Sequence, residues 1–216
     1  MRRVAITGAT GYVGRALSSA LVTRGHDVQA LVRQGGRSRV AAGATPWELD
    51  PFNVDELSRA VAGRDTVVHL IGTPHPNPSK AQEFQRIDLG SVRVCTAACA
   101  SVGVPHFVYV SVAQPAPVMQ AYIAARAQAE KAIAEAALTA TILRPWYVLG
   151  PGHRWPLVLA PIYACAELIP GLRDGARRLG LVSLRQMVSA LVHAVENPPS
   201  PGTRRVLGVP EIKAHR

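Results

Sequence analysis

Short apolar runs recur along the first two thirds of the chain, and the stretches between them carry apolar residues at helical spacing. The runs read RRVAITG, DVQALVR, ATPWELD, DTVVHLIG, PHFVYVSV and ATILRPW, the third being the weakest. The helical stretches are residues 12–24, 54–63, 80–102 and 119–137. The first of them aligns Val13, Ala16, Leu17, Ala20 and Leu21 on one stripe and stops at Gly25, a usual C-terminal signal. Strands apolar on both faces must be covered on both, which predicts a parallel sheet between two helix layers, the doubly wound α/β plan. After Trp146 the alternation fades. Residues 150–178 read as irregular, residues 183–196 as a helix and TRRVLGV as a last short strand. The expected organisation is one domain over 1–216, with a small lobe at about 150–182 and a C-terminal helix and strand at 183–210 inside it.

The first junction is TGATGYVG, which sets Gly8, Gly11 and Gly14 three residues apart between a strand and a helix. Gly8 suits a tight turn after the strand. Gly11 has no Cβ, so a pyrophosphate can approach the backbone, and Gly14 lets the helix pack against the strand. Phosphates would then meet the free N–H groups and positive dipole end of the helix.

This spacing resembles the short-chain dehydrogenase/reductase superfamily, in its atypical or extended, epimerase/dehydratase-like branch. Asp50 follows the third strand, where that family places a residue near the adenine. HLIG, ending in Ile71 and Gly72, closes the fourth strand, where its small residues line the ribose. LRPWYVLGPG, with Pro145, matches the R-P-x-x-V-x-G-P-G segment after the sixth. The resemblance covers about residues 1–155. It implies a Rossmann-like fold and a dinucleotide site that also uses Thr10, Tyr12 and Val13.

A site for NAD(H) offers an acid at the end of its second strand. Here that position holds Arg33, no acid follows until Glu48, and Asp27 lies at the opposite end of the strand. Arg33, with Arg37 or Arg39, suits a 2′-phosphate through charge-assisted bonds. The expected cofactor is NADP(H) ahead of NAD(H).

In the superfamily a Tyr moves the proton, a Lys one helical turn later holds it and the ribose, and a Ser or Thr orients the substrate. QAYIAARAQAEKA sets Tyr122 and Arg126 at i and i+4 on one helix face, so the family's Lys is an Arg. Arg keeps the charge but is forked and never neutral. Ser111 in YVSVAQPAP is the candidate hydroxyl. The extended branch puts its hydroxyl two residues later, where this chain has Ala113, with Gln114 beside it. Two functions stay open: an NADPH-dependent oxidoreductase working through Tyr122 on a small carbonyl-type substrate, and a non-catalytic NADP(H)-binding redox sensor or assembly protein. The lobe after residue 150 is small for enclosing a nucleotide sugar.

Twenty-four Lys and Arg against 14 Asp and Glu give a net charge of +10, which suits a phosphate-rich ligand. The densest basic stretches, RQGGRSR and LRDGARR, are too short for a nucleic-acid arm, so nucleic acid is not an expected partner. Cys95, Cys99 and Cys165 lack metal-ligand spacing and read as core thiols in a reducing compartment, the cytoplasm; no metal is expected. WPLVLAPIYACAELIPGL is broken by Pro161, Glu167 and Pro170 and makes a poor membrane span. Residues 155–172 are left as the core of the small lobe, or as a surface for an apolar substrate, a partner or a membrane. His69 reads as a satisfied core residue. His75 lies at the ligand edge of the sheet, and His153, Arg154 and Trp155 would roof the pocket.

Overall fold

The apolar runs fold as strands β1 (Arg3–Thr7), β2 (Asp27–Val32), β3 (Thr45–Glu48), β4 (Thr66–His69), β5 (Phe107–Val110) and β6 (Ala140–Leu143). The molecule is described by a computed structural model over residues 1–152, 169 and 173–215. His153, Arg154, Trp155, Cys165 and nearly all of 155–172 lie outside the described residues. Between the strands come α1 (Tyr12–Thr23), α2 (Val54–Val61), α3 (Gly90–Ser101) and α4 (Gln120–Glu135). A seventh strand, β9 (Arg204–Leu207), completes one parallel sheet of order β3-β2-β1-β4-β5-β6-β9. The order reverses between β1 and β4, the position where sheets of this kind open a crevice at the carboxyl ends of their strands.

Two apolar layers clamp the sheet. On one face α1 and α6 (Leu184–Glu196) interlock through Leu17, Leu21, Met187, Leu191 and Val195. On the other, α2, α3 and α4 contribute Leu57, Val61, Val92, Cys99 and Ile133. β1, β2 and β4 are buried almost throughout, as strands covered on both sides must be. The edge strands β3 and β9 alternate instead, which explains why ATPWELD is the weakest signal in the sequence.

The structure departs from expectation in the C-terminal third. A short helix, α5 (Arg173–Arg178), stands in a stretch that reads as irregular, and β7 (Tyr147–Leu149) pairs in parallel with β8 (Leu181–Ser183) as a separate ribbon. TRRVLGV is strand only to Leu207. Gly208 then caps α7 (Val209–Ala214), whose first turn accepts Pro210. A further difference precedes α3, where Phe84–Leu89 forms a π-type turn that directs Phe84, Asp88 and Leu89 inward. Among the described residues no helix is long and apolar enough to cross a membrane.

Candidate dinucleotide and proton-transfer site

Gly8 leaves β1 at φ +68, and a Cβ there would stand 2.9 Å from the backbone carbonyl carbon of Leu70 at the exit of β4. The glycine thus permits both the turn and the close approach of two strand ends at the switch point. A Cβ on Gly14 would stand 2.2 Å from the Gly8 carbonyl oxygen and 2.9 Å from Ala9 Cα. Its packing partner is therefore the turn itself and not the strand. Gly11 is exposed, and a Cβ on it would meet only the Gly8 oxygen, at 3.2 Å. Gly11 caps α1 with no side-chain acceptor and no acid in the first turn. By contrast Asn53 accepts two backbone N–H groups at the start of α2, and Ser183 and Gln186 form a capping box on α6. A cap of that kind contributes about 1 kcal/mol, and α1 leaves the place of its cap open. Thr10 and Val13 are half-buried in the same turn. Tyr12 sends its ring across to Gly150, where any Cβ would collide with the phenol oxygen, and burial raises its hydroxyl pKa.

At the end of β2, Arg33 is exposed and has no side-chain partner among the described residues. Arg37 is engaged by Glu48, with Nε 3.6 Å from Oε2, while the other Glu48 oxygen accepts the Gly35 N–H at 3.1 Å. Glu48 is a residue that linear reading sets too far away. The β2–β3 register pairs it with Val32, directly beside Arg33. Asp50 is exposed and closes a local turn by accepting the Phe52 N–H.

Tyr122 and Arg126 are brought together. The guanidinium carbon of Arg126 lies 5.1 Å from the Tyr122 ring centroid and 5.6 Å from that of Tyr109. Nη1 donates to the Tyr109 hydroxyl at 3.1 Å and to the Val110 carbonyl at 2.9 Å. Nη2 stands 2.6 Å from Asp88 Oδ1, an ionic contact without hydrogen-bond alignment. Nε is buried with no acceptor among the described residues. Burial, against the pull of Arg126, pushes the Tyr109 hydroxyl up to about 12, so Tyr109 stays a neutral phenol. Gly72 makes the ion pair feasible, because a Cβ there would stand 2.3 Å from Arg126 Nη2. Phe84 packs edge-on against Tyr122 with ring centroids 5.0 Å apart.

Ser111 belongs to a different group. Its hydroxyl donates to Glu130 Oε1 at 2.6 Å, and the same oxygen accepts from Gln114 and from Arg144 Nε. Glu130 lies one more helical turn beyond Arg126, so the Tyr122 stripe, extended by four residues, would have found it. A cleft of about 300 Å³ opens beside this group, bounded by Ala113, Gln114 and Arg144 on one side and Arg177, Arg178 and Glu211 on the other. Pro145 is buried and accepts the Ala113 N–H. Ile71 is half-buried at the exit of β4. His69 is fully buried and bridges Thr7 and Ser91 at 3.0 and 3.1 Å, a core residue with both ring nitrogens engaged. His75 is exposed at φ 48 in the following loop. Among the described residues no three His, Cys, Asp or Glu side chains converge as metal ligands.

These features fit a dinucleotide: an uncapped helix end behind a glycine without steric cover, an Arg at the end of β2 with no side-chain partner among the described residues, and a buried guanidinium N–H with no acceptor among them. The comparisons agree. Residues 8–153 match the profile of a family described as NAD(P)H-binding. Among curated proteins the chain is 27% identical over 221 residues to a ceramide reductase of Caulobacter vibrioides. It is 25% identical over 224 residues to a mitochondrial NADH dehydrogenase [ubiquinone] 1 alpha subcomplex subunit 9 of Arabidopsis thaliana. Those alignments take in 97% and 96% of this chain but only 63% and 54% of the relatives. A solved structure of MoeE5 in complex with UDP-glucuronic acid and NAD superposes with a TM-score of 0.73, covering 96% of this chain and 76% of that one. At 21% identity that likeness speaks for the fold alone.

Proposed function

Because the chain belongs to the NAD(P)H-binding family, we propose that it is an NADPH-dependent oxidoreductase acting on a small carbonyl-type substrate through Tyr122. The observation that carries this reading is the Tyr122–Arg126 pair, a phenol held against a buried cation on the ligand edge of the sheet. NADPH, when bound, supplies the hydride. The α1 N-terminus and the Gly8–Gly14 turn receive the pyrophosphate, and Arg126 Nε offers a donor to a ribose hydroxyl. Tyr122 gives its proton to the carbonyl oxygen, and the neighbouring cation eases formation of the phenolate left behind.

NADPH is favoured over NADH because Arg33 has no side-chain partner among the described residues, while Glu48, the acid nearest to it along the sheet, is already taken by Arg37 and Gly35. Curated relatives that are themselves reductases support the reaction class. Buried free thiols at Cys95 and Cys99 support work in the reducing cytoplasm. The test is NADPH consumption against a panel of aldehydes, ketones and quinones. Oxidation of NADPH by at least one class is the expected result. Tight NADPH binding with no consumption by any of them would transfer the chain to the second reading, a non-catalytic redox sensor or assembly protein. That reading is favoured by the Ser111 hydroxyl being occupied by Glu130 and by the likeness to a subunit of NADH dehydrogenase.

A further inference from the structure

Asp88 is the one carboxylate among the described residues that is fully buried. A buried ion pair is a poor device for stability, since the loss of hydration of two charges offsets most of their attraction. Yet three separate segments are shaped around this one. Thr73, at the exit of β4, gives Asp88 Oδ2 both its N–H at 3.1 Å and its hydroxyl at 2.6 Å. Gly72 vacates the volume in which Asp88 Oδ1 meets Arg126 Nη2. The π-type turn that carries Asp88 also carries Phe84, which packs against Tyr122. Turns of this kind widen a helix at a cost and concentrate at functional sites.

We infer that Asp88 is the positioning residue of the site: anchored by Thr73, it holds the Arg126 guanidinium across Gly72, so that Tyr122 and the nicotinamide half of the cofactor meet a fixed cation. With Nη1 bound to Tyr109 and Val110 and Nη2 to Asp88, the fork is held in one orientation. The donor left over, Nε, is then presented in one direction only. This inference rests on the dinucleotide reading above.

Two probes separate the halves of the cofactor: 2′,5′-ADP for the adenine side, and NADPH with its nicotinamide fluorescence for the other. Asp88→Asn keeps the shape and removes the charge. The variant is expected to bind 2′,5′-ADP within about twofold of the unaltered protein, to bind NADPH roughly fivefold or more weaker, and to lose the fluorescence rise on binding. Arg126→Ala is expected to behave alike, and adding Asp88→Asn to it should change NADPH affinity by less than about twofold, because Asp88 acts through Arg126. A merely structural Asp88 would weaken both probes together and add its full effect to Arg126→Ala, and either result overturns the inference. Should Asp88→Asn fail to fold, Thr73→Ala removes one anchoring hydroxyl. A folded Thr73→Ala protein with undiminished nicotinamide fluorescence would overturn it equally. If the unaltered protein does not bind NADPH, the dinucleotide reading falls and this inference with it. NADPH binding that Asp88→Asn leaves untouched sinks the inference alone.

Discussion

The two ends of the candidate site are built from opposite materials. The proposed phosphate end is backbone: three glycines and a helix terminus with no side-chain cap among the described residues, with Gly11 facing solvent. The proposed proton-handling end is side chain: Arg126, Asp88, Thr73 and Tyr109 are buried and bonded to one another. A backbone site fails when something is added to it, whereas a side-chain site fails when something is removed.

The sharpest break of that contrast is Gly11→Val. The added side chain intrudes where the pyrophosphate needs the backbone, so NADPH binding should fall below detection while circular dichroism stays unchanged. Binding at normal affinity would mean that the phosphates lie elsewhere. The matching removal is Tyr122→Phe, which takes away one hydroxyl. Turnover of any carbonyl substrate found should fall by about 10²–10⁴, with NADPH affinity hardly moved; a normal rate would end the role of Tyr122.

Arg33→Ser tests the adenine side, across the phosphate turn from Tyr122 and Arg126. Loss of a charge-assisted phosphate contact should weaken NADPH roughly ten- to a hundredfold and leave NADH nearly as before. Equal losses for both cofactors would remove Arg33 from the 2′-phosphate. Arg126→Lys restores the residue that the resemblance leads one to expect, yet an ammonium cannot reach Asp88, Tyr109 and the Val110 carbonyl together. Urea midpoints should record a loss of up to about 3 kcal/mol from the buried groups left unpaired; an unchanged midpoint would show that the fork is not needed.

The smallest effect belongs to the far edge of the sheet. His106 is buried between Thr66 and Thr141, and burial, with Arg2 and Arg205 nearby, holds it at about 4. The unfolded chain takes up that proton at about 6.5, so stability is whole above 6.5 and is lost as pH falls toward 4. Denaturation between pH 7 and 5 should show a loss of about 2 kcal/mol, which His106→Gln removes. A slope that survives the substitution belongs to another group.

The same division explains what was legible in the sequence. The sheet and its helices could be read because burial on both faces leaves unbroken apolar runs, and Gly8, Gly11 and Gly14 announce their turn because only backbone is involved. Tyr122 and Arg126 could be paired because helical spacing is local. Asp88 and Thr73 could not, since fifteen residues and a widened helical turn separate them, and nothing local in RIDLGSV marks an acid as inward. Glu48 was hidden by register: it reaches the Arg33 loop through strand pairing, not along the chain. Ser111 was legible as a residue but not as a partner of Glu130, which needs the β5 exit and α4 in contact.

The order of the elements along the chain also has a consequence for synthesis. β1 to β6 emerge from the ribosome before α6 and β9, although α6 packs beside α1 over the sheet face that carries Val4, Ile6 and Val28, and β9 pairs with β6. A nascent chain that has reached only Leu143 offers a greasy, half-clad sheet and an unpaired strand edge, a target for chaperones and for its own neighbours. Ribosome profiling with selective capture of ribosome-associated chaperones should therefore find them engaged until Leu184–Glu196 has cleared the exit tunnel, and released soon after.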